Sequence, residues 1–162
     1  MDRKIIGFEQ DEESHWLAQL ECGHLQHVRH DPPLVHRPWV LTKEGRDQFI
    51  RTDLDCLRCD QFEWPDNLVW MKDSNVFERD TIPAAIIKEH QTSAGVWGRI
   101  VVHEGSIGYK VLVPCEREFL LTPELAGVIL PQVKHYLIPS GMVTLQIRFF
   151  RVSNHTQEED TF

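Results

Sequence analysis

Two corners of the 162-residue chain carry side chains suited to gripping a soft or borderline metal ion. The first is Glu21-Cys22-Gly23-His24, a thiol and an imidazole one residue apart on a glycine-containing turn. The second is Cys56-Leu57-Arg58-Cys59, and a Cys-x-x-Cys turn aims both sulfurs at one centre. Together Cys22, His24, Cys56 and Cys59 make a tetrahedral Zn²⁺ set that leaves no position for water, so the expected zinc is structural. The sequence does not fix the loop path, and His27 or His30 are alternatives to His24 as fourth ligand. A thioredoxin-like dithiol at Cys56 and Cys59 is the competing reading, but such pairs open a helix in a βαβ unit and no such pattern surrounds them. His15 and His36 read as ordinary surface or packing histidines.

A second pair of imidazoles, His90 and His135, flanks the other half of the chain. His135 stands just past Pro131, where a returning strand begins, so the two can face each other across a small barrel. Neutral imidazole suits Zn²⁺, Fe²⁺, Ni²⁺ or Cu²⁺, which makes this pair the candidate site for a second divalent metal. Gln132 is then a weak third ligand or an orienting residue. Trp97 and Tyr109 are expected to wall the cavity, with Tyr109 adding a phenol for proton transfer or hydrogen bonding. The competing reading is a metal-free pocket in which His90 and His135 hold a small ligand or water.

These residues need elements to position them. In the first part, Ile5 to Gln10 and His15 to Leu20 read as strands around a polar turn at Asp11 to Ser14. A short helix is predicted from Thr42 to Arg51, with Thr42 as N-cap and Phe49 and Ile50 facing inward. About 60 residues with a thin apolar complement bury only a marginal core, which is why a metal staple is expected. Residues 63–69 around Pro65 and Asn67 mark a linker. Val69 to Phe77 opens the second module, and Pro83 suits the first turn of a helix from Thr81 to Lys88. A β-hairpin is predicted from Trp97 to Val113, turning at His103-Glu104-Gly105-Ser106. Further strands are predicted at 116–121, 127–130, 133–138 and 142–152, a spacing that argues an antiparallel barrel or sandwich. The predicted fold is mainly β: a small zinc-stapled α+β module at 1–62, an antiparallel β-barrel or sandwich at 70–153, and an acidic, disordered tail at 154–162.

Composition sets outer bounds. With 41% apolar and 26% charged residues the chain reads as globular, and its start, charged where a leader peptide is apolar, reads as cytoplasmic. A formal net charge of −8 repels phosphate backbones, so nucleic acid is disfavoured as a partner, and no run is long enough to suggest a membrane. Four cysteines without an export signal point to reduced thiols. His103 is expected to be exposed, and Cys115 to be a core or edge residue.

Two resemblances add to this reading. His90-Gln91-Thr92, Gly95, Trp97-Gly98, the Gly105 turn, Tyr109, and Pro131-Gln132 followed by His135 resemble a cupin, more closely the domain shared by the YeaR family and the N-terminal part of some tellurite-resistance TehB proteins. That resemblance covers roughly Trp70 to Val152. It implies a cupin-like barrel and an association with tellurite or nitrogen-oxide stress. The glutamate ligand of a metal-binding cupin falls here on Gly98. Methyl transfer does not carry over, because no Gly-rich strand-to-helix fingerprint is present. Residues 5–62 resemble a family of short, uncharacterised bacterial proteins through Gly7-Phe8 with Asp11-Glu12, Cys22-Gly23-His24 to Pro32-Pro33, Arg37-Pro38-Trp39-Val40 and Cys56-x-x-Cys59.

The function expected from these readings is a metal-binding stress-response protein, its barrel holding a metal or small ligand and possible homodimer contacts running through that barrel. A metal-dependent enzyme acting on a small molecule is the first alternative. A regulatory protein working through the zinc module is the second.

Overall fold

The computed structural model describes residues 1–28 and 37–153. His30, Pro32, Pro33, His36 and the 154–162 tail, each named above, lie outside the described residues. The strands are β1 (Asp2–Gln10), β2 (Trp16–Leu20), β3 (Leu25–His27), β4 (Asp53–Asp55), β5 (Leu68–Asp73), β6 (Phe77–Glu78), β7 (Val96–Gly105), β8 (Ile107–Val111), β9 (Arg117–Leu121), β10 (Gly127–Ile129), β11 (His135–Ile138) and β12 (Val143–Val152). Among the described residues two short α-helices, α1 (Lys43–Phe49) and α2 (Leu57–Asp60), both lie in the first module. The chain is mainly β, as its alternating patterns predict. Among the described residues no helix is long and apolar enough to cross a membrane.

The first module is a four-stranded sheet of order β3-β2-β1-β4. Both neighbours of β1 run antiparallel to it, Ile5 opposite Leu20 and Asp2 opposite Asp55. Their C-terminal ends therefore emerge on either side of the start of β1. That register brings the Cys22 turn and Cys56 together across more than thirty residues. Helix α1 begins where Thr42 Oγ1 accepts the Gly45 amide at 3.0 Å, and Phe49 stacks on Trp39 with ring centroids 3.7 Å apart.

The second module curls into an antiparallel half-barrel made of β10-β7-β12-β5, with β6 also on β12, and β11-β8-β9. Alternate residues point inward from each wall: Ile100 and Val102, then Ile107, Tyr109 and Val111, then Val143, Leu145 and Ile147 are all buried. Fully burying one such aliphatic side chain contributes about 1.5–3 kcal/mol, so this interior is the larger of the two apolar stores.

Two expectations are corrected here. Strands β7 and β8 do not form a hairpin: β7 pairs with β10 and β12, whereas β8 pairs with β9 and β11. The Gly105 turn instead carries the chain from one wall to the other. It needs glycine because φ is +78° and a Cβ would lie 2.1 Å from the Met142 carbonyl oxygen. The helix expected over Thr81 to Lys88 is also absent; a single 3₁₀ turn, Arg79–Thr81, precedes an irregular stretch. The Glu78 and Thr81 side chains close that turn with a capping box. Ile82, Ala85 and Ile86 have helical spacing, but the Leu137 amide donates to the Ile86 carbonyl at 2.9 Å and holds this stretch against β11.

Residues 63–69, read from composition as a linker, carry packing of their own. The Trp64 ring meets Trp97 at 5.7 Å and Phe150 at 5.0 Å, both edge-on, and the Asn67 carbonyl accepts the Ser153 amide at 2.8 Å. Phe62 meets Phe119 at 5.4 Å, and Arg3 reaches from β1 to the Pro131 carbonyl at 2.7 Å. The buried residues of the two modules consequently form one continuous cluster.

Candidate metal centre

Cys22 and His24 sit on the tight turn between β2 and β3, where the Leu20 amide donates to the His24 carbonyl at 3.0 Å and the Gly23 amide to the Leu20 carbonyl at 2.8 Å. Gly23 takes φ +93°, and a Cβ there would lie 2.8 Å from Asn67 Oδ1. This turn lets residues 22 and 24 project to the same side. Cys56 precedes α2 and Cys59 lies within it, one helical turn on. All three thiols are fully buried and His24 is 1% exposed.

The four ligand atoms lie within 4.8 Å of one another. His24 Nδ1 stands 3.5 Å from Cys22 Sγ, 3.4 Å from Cys56 Sγ and 3.5 Å from Cys59 Sγ, and the Cys22 and Cys56 sulfurs are 3.9 Å apart. His24 Nε2 is 2.9 Å from the Glu63 carbonyl, to which it must donate. That bond places the ring proton on Nε2 and leaves the Nδ1 lone pair facing the sulfurs, the tautomer a metal requires. His27 is elsewhere: its Nε2 lies 2.9 Å from Asp11 Oδ2, on the surface.

The protonation of these thiols shows why they suit a cation. Hydrogen bonding with Cys56 and Cys59, and then burial, push the Cys22 thiol far above its ordinary range. The same bonds from Cys22 and Cys59 hold Cys56 far below it. Cys59 is pushed up to about 11, a downward pull from Cys22 being outweighed by Cys56 and by burial, while Arg3 also works downward. Three buried thiols this close cannot all ionise unless a positive charge sits among them. The donor set, its burial and the His24 tautomer fit a structural Zn²⁺ of the Cys₃His type, with the protein supplying all four ligands. Arg3 is the nearby buried cation, 3% exposed; three thiolates on a divalent ion leave one net negative charge for it to offset.

Trp97 belongs to this centre. Its Nε1 donates to the Cys22 carbonyl at 2.8 Å and its ring meets His24 edge-on at 5.6 Å. It is fully buried against the first module, where the sequence reading had it walling a barrel cavity. A contact spanning 75 residues left no local signal. Arg3 was missed for the same reason.

In the second module, His90 and His135 form an antiparallel bridge, each donating its amide to the other's carbonyl at 3.1 and 2.9 Å. They are neighbours on one wall, with ring centroids 4.3 Å apart, and do not face each other across the barrel. His90 Nδ1 is 2.8 Å from the Lys88 carbonyl and His135 Nδ1 is 2.7 Å from the Val133 carbonyl, so each ring carries its proton on Nδ1 and a lone pair on Nε2. His135 Nε2 is buried without a hydrogen-bond partner. Burial holds the His135 imidazole down at about 4 against the Val133 carbonyl, with His90 adding to the depression. Tyr109 meets His135 at 5.7 Å and donates its hydroxyl to the Val128 carbonyl at 2.9 Å; burial pushes its phenol above the ordinary range, away from any titration near neutrality. Gln132 is exposed in a turn at φ +57°, its amide bonded to the Thr92 carbonyl. At Gly98 a Cβ would lie 2.8 Å from Ile129 Cδ1, so this wall has no room for the glutamate ligand of a metal cupin. His103 and Cys115 are exposed, so Cys115 is not a core residue.

Comparison with known proteins follows the division into modules. Residues 6–63 match the family described as protein of unknown function (DUF3565), and residues 72–147 match the TehB-like domain. No curated protein matches the chain. The crystal structure of TehB from Haemophilus influenzae is similar with a TM-score of 0.50 and 24% identity, over 54% of this chain and 32% of that one. A crystal structure of a protein from E. coli strain K12 is similar with a TM-score of 0.52 and 20% identity, over 56% of this chain and 97% of that one. At these identities the likeness shows the fold alone, and the chain spans about a third of the TehB length. The chain is a domain of the DUF3565 family followed by a TehB-like domain.

Proposed function

We propose that this is a metal-binding protein of the tellurite-resistance type, in which a structural zinc holds the DUF3565 domain together and fixes it against the TehB-like half-barrel. The observation that carries the reading is the buried tetrad of Cys22, His24, Cys56 and Cys59. When bound, the ion supplies charge and tetrahedral geometry to a module whose apolar content alone is marginal. The protein's own part is to hold His24 in the right tautomer through Glu63 and to seal the centre with Trp97.

The half-barrel is the binding part of this proposal. His135 presents a buried Nε2 lone pair beside His90, and its depressed basicity keeps it an acceptor at neutral pH. Such an edge suits a divalent metal or the donor group of a small molecule, including the species met in tellurite or nitrogen-oxide stress.

Metal analysis of protein purified without chelator tests both parts. About one zinc per chain is expected from the tetrad, and Cys56→Ser should abolish it. Full retention of zinc by that variant would remove the ligand set. Any further metal held by the half-barrel should disappear in His135→Ala, and an unchanged content would show that the pair only packs.

A further inference from the structure

We propose that Asp11, His15 and His27 form a second metal site, a surface one for a divalent transition ion, at the opposite end of the first sheet from the zinc tetrad. The three residues belong to different elements. Asp11 follows β1, His15 precedes β2 and His27 closes β3, and the pairing of those strands collects them at one corner. His27 Nε2 lies 2.9 Å from Asp11 Oδ2 and His15 Nδ1 lies 3.6 Å from the same oxygen. The three donor atoms fit within 4.8 Å of one another, and the two imidazole rings are 6.4 Å apart.

The carboxylate is held in place before any ion arrives. Asp11 Oδ1 accepts the amides of Glu13 at 2.9 Å and His15 at 2.8 Å, which leaves Oδ2 turned toward both imidazoles. Glu13 adds a carboxylate oxygen 3.5 Å from His15 Nδ1, so two carboxylates converge on that one nitrogen. The hydrogen bond from His27, then the backbone, hold the Asp11 carboxyl down at about 2, and it is ionised at any working pH. A cation can replace the imidazole proton between His27 and Asp11 with little movement of the turn.

Two imidazoles and one carboxylate on one corner, the imidazoles roughly half exposed, leave coordination positions open to water. Imidazole with carboxylate suits Zn²⁺, Ni²⁺ and Cu²⁺, with Cu²⁺ bound tightest by the general order of affinity. The thiolate tetrad selects a buried, permanent ion; this corner takes one that exchanges with solvent. It uses none of the half-barrel residues and stands or falls separately from them.

The test is a calorimetric titration of Zn²⁺ or Ni²⁺ into full-length protein already carrying its one tetrad zinc, at pH 7.5. Wild type should take up a further equivalent that His27→Ala and His15→Ala each weaken by ~10-fold or more, as expected when a ligand itself is lost. His135→Ala should keep that equivalent. Both surface variants must retain the tetrad zinc, which serves as the check on folding. In wild type, Ni²⁺ should broaden the His15 and His27 ring proton resonances first. If the double variant His15→Ala/His27→Ala binds added metal as wild type does, or if neither resonance responds to Ni²⁺, the corner is an ordinary surface ion pair and the proposal is wrong.

Discussion

Replacing Trp97 by phenylalanine tests whether zinc module and half-barrel act as one unit. Trp97 is fully buried, donates to the Cys22 carbonyl at 2.8 Å, and packs edge-on against His24 and Trp64. Phenylalanine keeps an aromatic edge but loses the donor, and an abandoned buried acceptor costs about 1–3 kcal/mol. The three ring atoms removed forfeit about 2 kcal/mol of burial, at about 0.8 kcal/mol per methylene equivalent. The total of about 3–5 kcal/mol corresponds to a fall in Tm of roughly 6–20 °C for a chain of this size. Because the lost contact joins a half-barrel strand to the zinc turn, zinc affinity should fall as well, by about tenfold for each 1.4 kcal/mol of coupling. The assay is thermal unfolding followed by far-ultraviolet circular dichroism, alongside competition for zinc with a chromogenic chelator. A single transition displaced to lower temperature, with zinc released more readily, is the expected result. Two separate transitions, only one of them displaced and with zinc affinity unchanged, would refute the coupling.

Four other substitutions, one of them a control, probe separate parts of the account. Arg3→Met leaves the Pro131 carbonyl without its buried donor and removes the cation beside the tetrad; a loss of about 1–3 kcal/mol in denaturant unfolding is expected, together with weaker zinc retention. Gly105→Ala forces a side chain into a left-handed turn against the Met142 carbonyl and should destabilise by about 1–3 kcal/mol or more, whereas Gly141→Ala, with open space around it, should change little. His135 has a folded pKa of about 4, below the ordinary 6.5, so the unfolded chain takes up its proton first as pH falls. Stability is then unaffected above pH 6.5 and declines between 6.5 and 4, by up to roughly 3 kcal/mol at 1.36 kcal/mol per unit. His135→Gln should flatten that part of the pH profile of metal-free protein, and an unchanged slope would show that the histidine is not what titrates.

What the sequence made legible was local. Cys22-x-His24 and Cys56-x-x-Cys59 announce themselves because turn chemistry and ligand type coincide within four residues. The strands from Val96 to Val152 show through their alternation of buried and solvent-facing side chains. What it concealed was pairing. The Gly105 turn looks the same whether the flanking strands join each other or pass to opposite walls, and only the partners of β7 and β8 decide. Pro83 fits a helix start and Ile82, Ala85 and Ile86 fit its spacing, yet the Ile86 carbonyl bonds to the Leu137 amide of a distant strand instead. Trp97 and Arg3 act through contacts 75 and 128 residues away, which no window of sequence contains. The Asp11, His15 and His27 corner escaped notice because its members come from three strand ends and look individually like surface residues.

X-ray absorption at the zinc edge of protein purified without chelator tests the central claim most directly. The account predicts a first shell of three sulfurs at about 2.3 Å and one imidazole nitrogen at about 2.0–2.1 Å. A shell of oxygen and nitrogen alone, or protein that folds fully with no zinc bound, would contradict it.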